Sequence, residues 1–136
     1  MQLRDDIKDR IQAEYDAWSE SQYAGKDKAE RQKLAQFFTP PALSIRMLEK
    51  FETVEDKDIL DPALGAGGLI AAAVIAGADP SRCYGIELDP AVLEVAKRRL
   101  ARLGVPPQNL KQGDVLDPKS YEFDGGPAPT MKSEAE

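Results

Sequence analysis

Three acidic residues each stand at the end of a short strand-like run, apolar in the first two and weaker in the third, and their order along the chain is where its chemistry begins. Ile59-Leu60 leads into Asp61, Cys83-Tyr84-Gly85-Ile86 leads into Glu87, and Leu110-Lys111-Gln112 leads through Gly113 into Asp114. After the first acid come Pro62, Ala63, Leu64, Gly65, Ala66, Gly67 and Gly68, then the small apolar stretch Leu69 to Ala76. A buried strand, a glycine turn and a helix start in that sequence form a seat for a nucleotide-like ligand. A dinucleotide fingerprint begun at Gly65 needs a glycine at position 70, and this chain has Ile70. A nicotinamide dinucleotide is therefore disfavoured. An acid at Asp61 also fits poorly beside a pyrophosphate, but it suits a ligand carrying an ammonium and a sulfonium, because opposite charges attract at close range. S-adenosylmethionine has both.

Each acid then acquires a role toward that ligand. Asp61 faces the methionine charges, with Pro62, Ala63, Gly65 and Gly67 forming the turn around it. Glu87, whose ionised carboxyl has only acceptor sites, can take both hydroxyl protons of a ribose. Asp114 can accept a hydrogen bond from the adenine amino group. Leu88 is left at the mouth to cover one face of the ring, and Val115 packs on it.

The elements that must hold these residues are legible from periodicity and capping. Leu3, Ile7, Ile11, Tyr15, Trp18 and Gln22 recur at helical spacing and predict an amphipathic first helix, broken between Ser21 and Gly25. A second helical piece is expected from Lys26 to about Gln36. A third is expected from Pro40 to about Phe51, capped by Thr39 and burying Leu43 or Ala42, Ile45, Leu48 and Phe51. Glu52 to Asp58 reads as a charged loop. Strands are expected at Ile59 to Pro62, Cys83 to Glu87 and Leu110 to Leu116. Asp89 and Pro90 have the N-cap and first-turn chemistry of a helix start. That helix turns Leu93, Ala96, Leu100 and Leu103 inward and stops at Gly104.

Four ordered motifs, Gln36-Phe37-Phe38-Thr39-Pro40-Pro41, Asp61 to Gly68, Gly85 to Pro90 and Gly113-Asp114, together carry a family likeness over about residues 34 to 118. They resemble the cofactor-binding half of class I S-adenosylmethionine-dependent methyltransferases. More narrowly, the chain is similar to the adenine-specific DNA methyltransferases of restriction–modification systems in which a Phe-Thr-Pro motif precedes the glycine motif. The resemblance implies an α/β fold, a partial Rossmann-like parallel sheet with an amino-terminal helical extension. It also implies that Phe38, Thr39 and Pro40 line the methionine end of the cofactor. Such enzymes hold a flipped adenine with an Asn/Asp-Pro-Pro-aromatic motif after the fourth strand. In this chain Pro40-Pro41 and Pro106-Pro107 are followed by Ala42 and Gln108, and no such motif occurs. No catalytic residue is assigned.

Residues 1–36 are therefore expected as a helical extension, 37–118 as a half-domain that binds S-adenosylmethionine, and 119–136 as a disordered tail. In a doubly wound sheet the first strand is central; without a fourth strand beside it, it becomes an edge that a helix, a second copy or another protein must cover. With 136 residues and 42% apolar content the chain can build one core, and it has no apolar run of about 18 residues to span a membrane. Met1 is followed by Arg4-Asp5-Asp6 rather than an apolar leader, so a cytoplasmic location is expected. With no histidine and only Cys83, read as a buried structural thiol, zinc sites and histidine-based catalysis are disfavoured. The net charge of −6 argues against strong DNA binding by this chain alone. Lys97-Arg98-Arg99 with Arg102, and Lys26, Lys28, Arg31 and Lys33, read as solvated helix faces. Two functions follow. One is the S-adenosylmethionine-binding module of an adenine-specific DNA methyltransferase, truncated or dependent on a partner for catalysis. The other is a non-catalytic protein for cofactor sensing, cofactor sequestration or protein interaction.

Overall fold

A computed structural model describes residues 1–123 and 126–127. Its chain order is α1 (Asp5–Tyr23), α2 (Lys28–Ala35), α3 (Pro41–Leu48), β1 (Ile59–Asp61), α4 (Gly68–Ile75), β2 (Cys83–Glu87), α5 (Pro90–Ala101), β3 (Leu110–Gln112), β4 (Glu122–Phe123) and β5 (Gly126–Pro127). The strands β1, β2 and β3 form one parallel sheet in that spatial order, and β4 pairs with β5 in a separate antiparallel ribbon. Two strand–helix–parallel strand units built this way are the α/β arrangement the sequence implies. Among the described residues β1 pairs only with β2, so it lies at the sheet's edge.

Period-two alternation gives the sheet two different faces. Ile59, Cys83 and Leu110 point into the main core, which they share with Ile70 to Ala73 of α4 and with Leu93, Ala96 and Leu100 of α5. Leu60 and Ile86 point the other way and are buried with Phe123, with Tyr84 and Tyr121 beside them. The thiol of Cys83 is fully buried, and desolvation, helped by the charges of Asp79 and Asp58, pushes its pKa up to about 12. It is an inert core group, as expected.

Local differences from the sequence-based expectations have local causes. The first helix continues through Ser21 to Tyr23, because the Ser21 hydroxyl donates back to the Trp18 carbonyl at 2.6 Å and stays satisfied inside a helix. The second begins at Lys28, capped by Asp27, whose carboxylate accepts from the Glu30 N–H at 2.8 Å. The third is shorter than expected, and its N-cap is Pro40; no side chain caps it, so Thr39 does not have that role. Its buried positions are Pro41, Ser44 and Leu48, while Leu43 is 48% exposed, because the face toward α4 is set one position away from the one the apolar count favoured. The third strand ends at Gln112, and the Gly113 N–H makes the last ladder bond, to the Glu87 carbonyl at 3.1 Å. The boundary expected at residue 118 falls inside a folded segment, a 3₁₀ turn at Pro118–Tyr121 leading directly into β4. Residues 124–125 and 128–136 of the expected tail lie outside the described residues.

The first helix folds back on its own chain. It packs against α3 and α4, burying Ile11 in the main core, where Leu3 just before the helix joins it, and Trp18 with Phe38 and Ala66. Its chief cover is thus the helical layer rather than the open edge of β1. No helix among the described residues is long and apolar enough to cross a membrane.

Candidate functional site

All three strand-end acids lie on one side of the sheet because parallel strands carry their C-terminal ends to the same side. There Pro62 and Ala63 after β1, Glu87 and Leu88 after β2, and Asp114 and Val115 beyond β3 line a cleft of about 170 Å³ floored by Ile86. Among the described residues, no lysine or arginine lines it. Leu88 is 66% and Val115 43% exposed, so apolar surface stands open at the mouth. Larger hollows of about 490 Å³ and 410 Å³ lie beside β3 and between α2 and α5, but neither is lined by a motif glycine or by Glu87 and Asp114, while Asp61 lines none of the three. The smaller cleft is the one that the motif residues line.

The glycine turn is shaped by steric necessity. Gly65 and Gly67 have φ of +56° and +87°, where a side chain is strained. A Cβ on Gly65 would stand 3.0 Å from the Phe37 carbonyl oxygen, and one on Gly67 3.0 Å from Leu100 Cδ1. The turn is then tied down by hydrogen bonds. The Gly65 N–H donates to Glu87 Oε1 at 2.8 Å, the Ala66 N–H to the Phe37 carbonyl at 3.1 Å, and the Leu64 N–H to the Ile86 carbonyl at 2.9 Å. The other oxygen of Glu87 accepts from the Asp89 N–H at 3.0 Å. Each carboxylate oxygen retains a further acceptor position. Asp89 in turn caps α5, accepting from Ala91 and Val92, with Pro90 at the first turn.

Asp61 is half-buried and accepts from the Ala63 N–H at 3.0 Å. Burial raises its pKa above the ordinary carboxylate value, and the neighbouring charge of Glu87 raises it further, against the opposing hydrogen bond. A cationic ligand would relieve both effects. Asp114 accepts from the Leu116 N–H at 2.9 Å through Oδ1, while its own N–H donates to the Ser120 hydroxyl at 2.9 Å. Gly113 must be glycine, because a Cβ would lie 2.6 Å from that same hydroxyl.

The structure does not bring the Phe-Thr-Pro segment to the cleft as a lining. Phe38 is buried with its ring 4.5 Å from that of Trp18 and 5.4 Å from that of Tyr23. Thr39 packs against Gly68 at the start of α4, where a Cβ would meet Thr39 Cβ at 3.1 Å. Pro40 is exposed at the cap of α3. The segment's visible service to the turn is the Phe37 carbonyl.

Residues that the motifs did not single out complete the arrangement. The Gln112 amide donates to the Leu88 carbonyl at 3.2 Å and the Tyr121 hydroxyl to the Val115 carbonyl at 3.0 Å, fixing two of the cleft's walls. Arg99, expected on a solvated face, is 3% exposed. Its partner Glu14 lies 85 residues away in sequence, so no local signal marks it.

A parallel sheet with a glycine turn after the first strand and acids at the strand ends defines a partial Rossmann-like fold of the methyltransferase kind. Residues 18–119 match the family of N-6 DNA methylases, and the chain belongs to it. Over 90 residues it is 29% identical to the Type II methyltransferase M.VspI of Vibrio sp. (strain 343). The match takes in 65% of this chain and 22% of that protein, so the chain spans less than a quarter of that relative. No solved structure matches it.

Proposed function

We propose that this chain is the S-adenosylmethionine-binding part of an adenine-specific DNA methyltransferase, and that catalysis requires residues supplied from outside its 136. The observation that carries this reading is the cleft itself, lined by the strand-end acids Glu87 and Asp114 with Asp61 adjoining and no cation to receive a phosphate. Glu87 would hold the ribose hydroxyls, Asp114 the adenine amino group, and Leu88 and Val115 the two faces of the ring. Asp61 would meet the positive methionine end, with Pro62, Ala63, Gly65 and Gly67 shaping the turn, and Phe38, Thr39 and Pro40 bounding that end through the backbone they position. When bound, the cofactor supplies the methyl group. The chain's own residues bind and orient it, and they balance its charge. Nothing in the sequence supplies the Asn/Asp-Pro-Pro-aromatic grip on a target adenine. Another protein docking at the open edge of β1 would bring that grip, along with the phosphate contacts that an acidic chain lacks. A cytoplasmic enzyme of restriction–modification type fits this reading.

Calorimetry with S-adenosylmethionine and with its demethylated product tests it. Both should bind. Glu87→Gln keeps an acceptor for the turn but loses the anion, and should cost about 1.5–3 kcal/mol of affinity. Binding indifferent to that change would refute the assignment. The chain alone should transfer no labelled methyl group to duplex or single-stranded DNA, since nothing holds the target amino group in line.

A further inference from the structure

We infer that Arg99 is a positioning residue for the glycine turn, and that through it the amino-terminal helix sets the shape of the cofactor cleft. The guanidinium of Arg99 occupies the junction of three elements. Nη1 donates to the Ala66 carbonyl at 3.3 Å. Nε and Nη2 fork onto the two oxygens of Glu14 on α1 at 3.0 and 2.6 Å. The guanidinium carbon stands 4.0 Å from the ring centroid of Trp18. The arginine side chain is 2% exposed.

Ala66 is the peptide on which this convergence matters. It lies between two glycines of positive φ, whose backbones are the most permissive in the turn. Its N–H is held by the Phe37 carbonyl and its C=O by Arg99, so the unit is restrained from both sides. The preceding residue donates to Glu87 and the following one caps α4. A shift at Ala66 therefore moves the Gly65 N–H away from Glu87 and turns the first helical amides of α4. Restraining the turn before the ligand arrives removes an ordering cost from binding. Lysine could not replace arginine at this junction, because a single ammonium lacks the planar fork that spans Glu14 and Ala66 together while stacking on an indole.

The test uses the full chain carrying Arg99→Lys, which keeps the charge, and reads amide hydrogen exchange without ligand. Exchange at Gly65, Ala66 and Gly67, whose N–H groups are held by Glu87, Phe37 and Leu64, should quicken about tenfold relative to Ile86 and the amides of α5, because a charge-assisted hydrogen bond is lost. Val54→Ala, a core change remote from the turn, serves as the control for general destabilisation and should quicken these amides no more than the rest. S-adenosylmethionine should bind Arg99→Lys about tenfold more weakly in calorimetry. That arm rests on the proposed function, whereas the exchange arm does not. Selective loosening with no cofactor binding by the parent chain would leave the positioning role standing and remove the cofactor reading. Should Arg99→Lys fail to fold, Glu14→Gln reads the same amides and should loosen them in the same direction by a smaller factor. Exchange at the turn rising no more than in Val54→Ala would overturn the inference.

Discussion

At Asp61 the chain accepts an electrostatic penalty that a cation could remove. Its carboxyl is half-buried, bonded to a single N–H and near a second carboxylate, so the charged form is disfavoured in the folded chain. Because the folded pKa is raised, the native state holds its proton more tightly than the unfolded state, and stability falls as pH rises from the ordinary value of 3.8 through the raised one. Asp61→Asn should accordingly melt higher than the parent at neutral pH, and the difference should close as the pH is lowered through the carboxylate range. Thermal melts across that range measure it; a difference independent of pH would mean that ionisation of Asp61 is not the cause. The same substitution should reduce affinity for the sulfonium cofactor more than for its neutral demethylated product.

Among the elements, α3 shows most clearly how tertiary packing overrides a local pattern. Its apolar residues read as a stripe through Leu43, yet the structure turns Ser44 inward to 1% exposure beside the α4 layer. The Ser44 hydroxyl finds no hydrogen-bond partner among the described residues. A buried unsatisfied hydroxyl is costly, and alanine is the better helix former. Ser44→Ala should therefore stabilise the chain by about 1 kcal/mol, visible as a raised denaturation midpoint with an unchanged slope. A lowered midpoint would indicate a partner for that hydroxyl.

For the whole molecule, α1 is a structural member rather than an appendage. It contributes Ile11 to the main core beside Leu3 of the segment before it, Trp18 to the aromatic cluster around Phe38, and Glu14 to the buried pair with Arg99. Deleting residues 1–24 would strip Ile11 and Trp18 from the core and open the surfaces they cover to water, each such side chain contributing about 1.5–3 kcal/mol when buried. Domains of this size are stable by only about 5–15 kcal/mol in total. The shortened chain should lose cooperative unfolding or aggregate. Calorimetry and light scattering check this, and a monomer with an unchanged melting temperature would show that α1 contributes no stability.

The sequence by itself determined the local features. Strand, glycine turn and helix follow from runs of apolar residues ended by Asp61 and Glu87, from the positive φ that Gly65 and Gly67 permit, and from the cap that Asp89 and Pro90 build. Parallel pairing then placed Pro62, Ala63, Glu87, Leu88, Asp114 and Val115 around one cleft, with Asp61 outside its lining. The tertiary structure alone decided which helix faces are buried and which charges are paired. Phe38, expected to line a cofactor, packs on Trp18 instead, and Arg99 left a basic run to join Glu14 and Ala66. The reason is physical. Backbone propensity and capping act over a few residues and leave their mark in composition, whereas a buried ion pair depends on two side chains far apart in sequence whose meeting only the packed fold can specify.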